Sequence, residues 1–401
     1  MWRERILQQA IKRLTERALP ISVRFWNGET YLPVVPSTVG IAVHKPRALR
    51  ALAQPSMGKL ARAYVEGDFD LEGDARTILK LGEVLCDADT AVDKKGSRAL
   101  DWLRHSRPSA RKNIGFHYDV SNDFFCLWLD SRRIYSCAYF GDPEDSLDRA
   151  QERKLDLICR KLMLRPGESL LDIGCGWGGL IIWAAERYAA RCVGITLSQD
   201  QYDFVKAEVQ RRRLGERVDV RLLDYREMPT EERFDKIASV GMFEHVGRRN
   251  LNAYFHKIHD LLAPGGLVMN HGITTAGLDT EGLRSGISEF IEQYVFPGGE
   301  LVHISRVIES LAHAGLECVD MESLRPHYAK TLWHWVERLE ANGDRARELI
   351  GEKKYRVWRI YMAGSAHAFA RGWLSLFQVV AGKPLPDGTL PYPYTRVHLC
   401  G

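Results

Sequence analysis

The chain has 401 residues, of which 45% are hydrophobic and 27% charged, with a net charge of +4. That is globular composition, long enough for two or three domains. Its eight cysteines, at 86, 126, 137, 159, 175, 192, 318 and 400, contain no CxxC pair, which argues against a disulfide framework or a thiolate zinc site and predicts a reducing, cytosolic setting.

The N-terminal stretch MWRERILQQAIKRLTERAL has no continuous apolar segment followed by small residues, so no signal peptide is expected, and no run of about 18 apolar residues predicts a spanning helix. Positions 1 to 62 carry eleven Lys or Arg against Glu4, Glu16 and Glu29, a local charge of +8. Beneath these charges Trp2, Ile6, Leu7, Ala10, Ile11, Leu14 and Ala18 recur at helical spacing. Such a basic amphipathic helix either lies on an anionic lipid surface or docks its apolar stripe on its own protein. No recognition module accompanies the charge, so nucleic acid is not expected as a partner.

Residues 21 to 45 alternate in polarity around Asn27-Gly28, a hairpin signal. Helical patterns follow over 46 to 66 and, after the turn-like GDFDLEGD, over 74 to 86. These predict a small α+β domain over 1–90, followed by a polar linker over 91–113 with one short helix near Trp102. The remainder, 114–401, is the expected catalytic domain.

From 144 onward helix and strand alternate. Helices are expected over 144–163, 178–189, 199–213 and 248–262, strands over 169–173, 191–195, 218–223, 235–240 and 266–271, and a long packed helix over 353–381. The fold class is therefore α/β, a Rossmann-like doubly wound sheet with a small N-terminal α+β domain.

Within this pattern LLDIGCGWGGLIIWAA, 170 to 185, reads as strand, glycine turn and helix, with Gly174, Gly176 and Gly179 forming GxGxxG. This suits a backbone that approaches a cofactor at a helix N-terminus. A dinucleotide site would want an acid at the end of the next strand, but RCVGIT ends in Thr196. Elsewhere YSCAYF, 135 to 140, brackets Cys137 with tyrosines, and the residues alone leave open a nucleophile, a metal ligand, core filling or the wall of a site. His256 and His259 stand at i, i+3 without an evident third ligand, so no metal is expected.

In order along the chain, PGESLLDIGCGWG with Asp172, LLDYREM with Asp224 and Tyr225, and LLAPGGLVMN resemble the motifs of class I S-adenosylmethionine-dependent methyltransferases. IGFHYDVSNDFF, IYSCAYF, GITLSQDQ, MFEHVG, FIEQYVFPGGEL and HYAKTLWHW narrow the likeness. Together they resemble the cyclopropane-fatty-acyl-phospholipid synthase family over about 110 to 380. The resemblance implies S-adenosylmethionine bound by Tyr135, Ser136, Asp172, Gly174, Gly176, Gly178, Thr196, Gln201, Asp224 and Tyr225. It further implies a bicarbonate ion held by Cys137, Glu244, His271, the Ile273 backbone and Tyr328, which would make Cys137 the wall of an anion site.

The implied reaction is methyl transfer to the cis double bond of a phospholipid acyl chain, then deprotonation to a cyclopropane; the alternative is a methyl- or methylene-branched product. The setting implied is cytoplasmic and peripheral to the inner face of the membrane, with a homodimer possible. A carbocation on the acyl chain would favour an aromatic lining, for which Tyr135, Tyr139, Phe140, Phe243, Phe290, Tyr294 and Phe296 are candidates.

Overall fold

The structure, a computed structural model, describes residues 7–9, 11–12, 15–16, 19–33, 36–86, 121–278, 287–295 and 300–399. The expected linker and the helix near Trp102 lie outside them, as do residues 114–120 and Phe296. Among the described residues no helix is long and apolar enough to cross a membrane.

The chain forms two units. In the first, β1 (Ile21–Arg24) and β2 (Thr30–Tyr31) make the expected hairpin, with Gly28 at φ +86° in the turn. β1 also pairs in parallel with β3 (Val39–Val43), which pairs antiparallel with β4 (Phe69–Glu72). β4 occupies the segment read as a turn, because Phe69 is buried while its neighbours bridge to β3. The helical pattern of 46–66 is two helices, Ala48–Ala53 and Met57–Val65, parted at Pro55, which cannot continue the first, and Ser56, which caps the second.

This unit also draws in helix Ile287–Tyr294, residues 335–341, and helix Gly343–Ala370 up to residue 367. Arg356 and Arg359 stitch that last helix down: Arg356 pairs with Asp70 at 2.6 Å, and Arg359 bonds the Tyr64 hydroxyl at 3.1 Å. Phe290 and Val295 join the core of Ile21, Val43, Leu49 and Leu85, and Tyr294 bonds Glu66 at 2.9 Å. Phe290 and Tyr294 thus serve this core. Leu7 is buried in the same core and Ile11 packs against it, so this part of the N-terminal stripe docks on its own protein.

The second unit is built on a seven-stranded sheet. Its strands are β5 (Ser169–Ile173), β6 (Arg191–Thr196), β7 (Val218–Leu222), β8 (Phe234–Val240), β9 (Leu262–Thr275), β10 (Glu317–Ser323) and β11 (Leu374–Gly382), in the order β10-β11-β9-β8-β5-β6-β7. From β7 to β9 every pair is parallel; β11 runs antiparallel to both β9 and β10. The sheet is apolar on both faces because helices cover both. Leu170 packs in one core with Ile181, Ala184 and Val205, whereas Leu171 and Ile173 join Ile258, Leu261 and Leu311 in the other.

The predicted long helix over 353–381 is corrected at its C-terminal half. The helix stops at Ala370, Gly372 turns the chain at φ +70°, and LSLFQVVAG runs as β11. A largely apolar run, broken only by Ser375 and Gln378, carries too weak a period to tell a buried helix from a buried strand, and this one contains Val379, Val380 and Phe377.

Helix Leu147–Lys161 begins at Ser146, whose hydroxyl accepts from the Arg149 N–H at 3.3 Å. Ser146→Ala is expected to lower stability by about 1 kcal/mol, seen as a lower denaturant midpoint at unchanged slope; an unchanged midpoint would remove the cap from the account.

Candidate active site

At the carboxyl end of β5 the chain turns through Gly174, Gly176 and Gly178, all left-handed at φ +82°, +55° and +80°, before helix Gly179–Arg187. These backbones require glycine. A Cβ on Gly174 would come within 3.0 Å of Met242, and on Gly178 within 3.0 Å of Val205, whereas one on Gly176 would meet nothing within 4 Å. Gly176 therefore faces open space, and Gly178 serves the packing of the turn.

That space is a cavity of about 180 Å³. Tyr135, Ser136, Asp172, Gly174, Gly176, Thr196, Gln201, Asp224 and Tyr225 all line it, so of the ten expected cofactor residues only Gly178 stands behind the wall. The glycine cradle and the buried Asp172 carboxylate, whose Oδ1 has no partner, fit the amino-acid end of S-adenosylmethionine. Burial pushes Asp172 up to about 7, against the pull of the nearby Lys154 ammonium.

Thr196 donates to Gln201 Oε1 at 2.8 Å and accepts from the Ser198 N–H at 3.1 Å, so a hydroxyl and an amide, both buried, stand where a dinucleotide site would hold an acid. Asp224 reaches the wall as expected, but Arg226 grips both its oxygens, at 2.8 and 2.5 Å. The resemblance implied Asp224 as a cofactor residue without Arg226; with the fork closed, what it presents is a neutralised pair. Tyr225 beside it is braced edge-on by Tyr254 at 5.2 Å.

YSCAYF forms no helix or strand, so its backbone must find partners elsewhere. Asp130 accepts from the Ile134 N–H at 2.8 Å; Gln151 donates to the Ile134 and Ser136 carbonyls at 3.3 and 2.9 Å. The Ala138 N–H bonds Thr331 Oγ1 at 3.0 Å and the Phe140 N–H bonds His327 Nδ1 at 3.1 Å. Behind Tyr135 lie the rings of Phe125 and Trp128, at 5.9 and 5.3 Å.

Of the expected anion-site residues, Cys137, Tyr328 and Ile273 are linked through Leu324 and Leu376. Cys137, 1% exposed, points its thiol at the Ala138 carbonyl (3.2 Å) and the Leu324 carbonyl (3.8 Å). The Tyr328 N–H bonds that same Leu324 carbonyl, and the Leu324 N–H bonds Leu376 of β11, whose register partner on β9 is Ile273. Burial pushes the Cys137 thiol far up, so it is a neutral S–H and no nucleophile.

Glu244 lies on a short turn after β8 and reaches across Gly272, where its Oε1 accepts from the Ile273 N–H at 2.8 Å. That bond corrects the expected role of Ile273: its N–H is committed to Glu244 and enters the site only by orienting that carboxylate. Glu244 Oε2 is buried without a partner, and burial pushes the carboxyl up to about 7. His271 Nδ1 faces the Gln378 amide nitrogen at 3.1 Å, so the neutral ring carries its proton on Nε2, which is buried and unpartnered. Desolvation holds its pKa well below the usual value, keeping it neutral at pH 7. Gln378 on β11 and Lys154 were missed from sequence; only knowledge of the β9–β11 register and of the buried face of helix 147–161 reveals them.

His256 bonds the Asn252 carbonyl at 2.7 Å and His259 faces Asp260, both at the surface. Among the described residues no cluster could hold a metal ion.

A sheet of this order with its glycine turn after the first strand defines a class I S-adenosylmethionine-dependent methyltransferase fold. The profile of the mycolic acid cyclopropane synthetase family matches residues 105–379, and the chain belongs to that family. It is 45% identical to a probable fatty acid methyltransferase of Pseudomonas putida over 98% of this chain and 99% of that protein. It is 34% identical to tuberculostearic acid methyltransferase UfaA1 of Mycobacterium tuberculosis, over 91% of this chain and 88% of that protein. Among solved structures, mycolic acid cyclopropane synthase CmaA1 complexed with SAH and CTAB superposes with a TM-score of 0.65 at 37% identity, covering 68% of this chain and 98% of that one.

Proposed function

We propose that this enzyme methylates the cis double bond of an unsaturated phospholipid acyl chain and then removes a proton from the new carbon, closing a cyclopropane ring. The observation that carries this reading is the buried pair of unpartnered atoms on Glu244 and His271, because ring closure is a proton loss and needs a base held out of water. The bound cofactor supplies an electrophilic methyl on sulfur. The chain's part is to hold donor and alkene in register and dry, since an isolated alkene is a weak nucleophile.

A bicarbonate ion suits the donor set, for the His271 Nε2–H offers a proton to an oxygen and Glu244 Oε2 accepts one from a hydroxyl. When bound, bicarbonate would supply the base. Glu244, when ionised, would accept from its hydroxyl and orient it, and the Tyr135 ring at the cavity wall offers a π face to positive charge developing nearby.

A second reading keeps the cofactor and alkene but ends in a methyl- or methylene-branched chain. It is favoured by the names of the relatives that match along nearly the whole chain, a probable fatty acid methyltransferase and a tuberculostearic acid methyltransferase. The deciding experiment incubates the enzyme with S-adenosylmethionine and vesicles of cis-unsaturated phospholipid, with and without bicarbonate, and weighs the recovered fatty acids. A product one CH2 heavier that takes up no hydrogen under alkene hydrogenation is the ring. A product one CH2 heavier that still takes up hydrogen is the methylene-branched chain, one that is CH4 heavier and appears only with an added reductant is the saturated methyl-branched chain, and no lipid product at all overturns both readings.

A further inference from the structure

Lys154 is one of the most deeply buried charged side chains of the second unit, at 1% exposure. A buried ammonium is costly without compensation. Its hydrogen-bond partner among the described residues is the Ser136 hydroxyl, at 2.8 Å. Asp130, Cys137 and Asp172 act on it only through space, and desolvation brings it down to about 8. Lys154, Ser136 and Asp172 all line the glycine-floored cavity.

The donor arithmetic is constraining. An ammonium only donates, so Ser136 Oγ must accept from it. The single hydroxyl hydrogen of Ser136 is thereby released to point elsewhere, and Lys154 retains two further N–H groups. Gln151, one turn earlier on the same helix, holds the Ser136 carbonyl, so the residue cannot swing away. Asp172, lining the same cavity, presents an unpartnered acceptor. Donors from Ser136 and Lys154 and an acceptor from Asp172 complement the carboxylate and ammonium of an α-amino acid.

We infer that Lys154 is a positioning residue that fixes the Ser136 hydroxyl as a donor to the carboxylate at the amino-acid end of the cofactor, with Asp172 left to accept from its ammonium. This rests on the reading of the cavity as the S-adenosylmethionine site. Lys154 acts through Ser136, and its contribution is selective for ligands that carry the amino-acid group.

The test is calorimetric, on the full chain, with two probes: S-adenosylhomocysteine and 5′-methylthioadenosine, which keeps the adenosine and sulfur but lacks the amino acid. Lys154→Met is expected to weaken S-adenosylhomocysteine about 10- to 100-fold, the range for hydrogen bonds to charged groups, and to leave 5′-methylthioadenosine within about twofold. Ser136→Ala is expected to show the same selectivity, and the double variant to be no worse than the weaker single one.

Equal weakening of both probes by Lys154→Met, or additive losses in the double variant, overturns the inference. If Lys154→Met does not fold, Ser136→Ala decides alone: full affinity for S-adenosylhomocysteine in that variant is fatal. A wild-type enzyme that binds the two probes equally well sinks the inference while sparing the cofactor reading; one that binds neither sinks both.

Discussion

Glu244→Gln is expected to slow turnover by about 10²- to 10⁴-fold while S-adenosylhomocysteine binds with unchanged affinity. Glutamine keeps an acceptor for the Ile273 N–H, so the turn after β8 stays in place, and residue 244 does not line the cofactor cavity. What is lost is the negative charge. Because burial pushes Glu244 up to about 7, wild-type turnover should fall as pH drops below about 7, and the residual activity of the variant should lack that acid limb.

The same group has an opposite signature in stability. Its folded pKa lies above the 4.5 of an unperturbed glutamate, so the folded state binds the proton more tightly. Its contribution is fully favourable below the unfolded value and is lost as pH rises through about 7. The variant is spared that loss, and should become more stable relative to wild type between pH 4.5 and 8, by up to about 3 kcal/mol. Thermal melts across that range check it. A variant that loses cofactor affinity but keeps its turnover would refute the assignment.

Gly194→Ala is expected to destabilise by about 1–3 kcal/mol and to weaken S-adenosylhomocysteine binding about tenfold. Gly194 sits in β6 beside Asp172, and a Cβ there would lie 2.7 Å from Ile181 and 2.9 Å from the Cys175 sulfur. Cys175 belongs to the glycine turn, and Ile181 to the helix that follows it, so relief of the clash displaces the cradle itself. Gly215→Ala is the control: nothing lies within 4 Å of its Cβ, and a change from zero to a gain of under about 1 kcal/mol is expected. Denaturant midpoints and a calorimetric titration read both variants. Equal stability losses at the two positions would mean that backbone freedom, not the contact, sets the cost.

β5, β6 and β8 are legible in the sequence because each is short, largely apolar and followed by a turn and a helix. β5 and β6 fall within a residue of their expected bounds. β10 and β11 are not legible in the same way: β11 follows a helix as one largely apolar run, and β10 is Asp- and Glu-rich, with Glu317 and Cys318 exposed. Nine of the expected cofactor residues line one cavity, but the anion-site set came from resemblance, since the segments of Cys137, Glu244, His271 and Tyr328 are linked only by pairings between distant parts of the chain. What neither motif nor resemblance discloses is who else holds each group. The Arg226 fork on Asp224 and the use of the Ile273 N–H by Glu244 are facts of geometry alone.

The bond between Gln378 and His271 has a temporal side. Every described residue that lines the cofactor cavity lies between Arg133 and Asn250, whereas Gln378 belongs to β11, near the end of the chain. During synthesis, which delivers the chain N-terminus first, the ribosome completes the segments of the cavity well before it adds the residue that decides which imidazole nitrogen carries the proton. A nascent chain can thus carry every described segment of the cofactor cavity and still hold a histidine with no assigned tautomer; chemical competence arrives with the last strand.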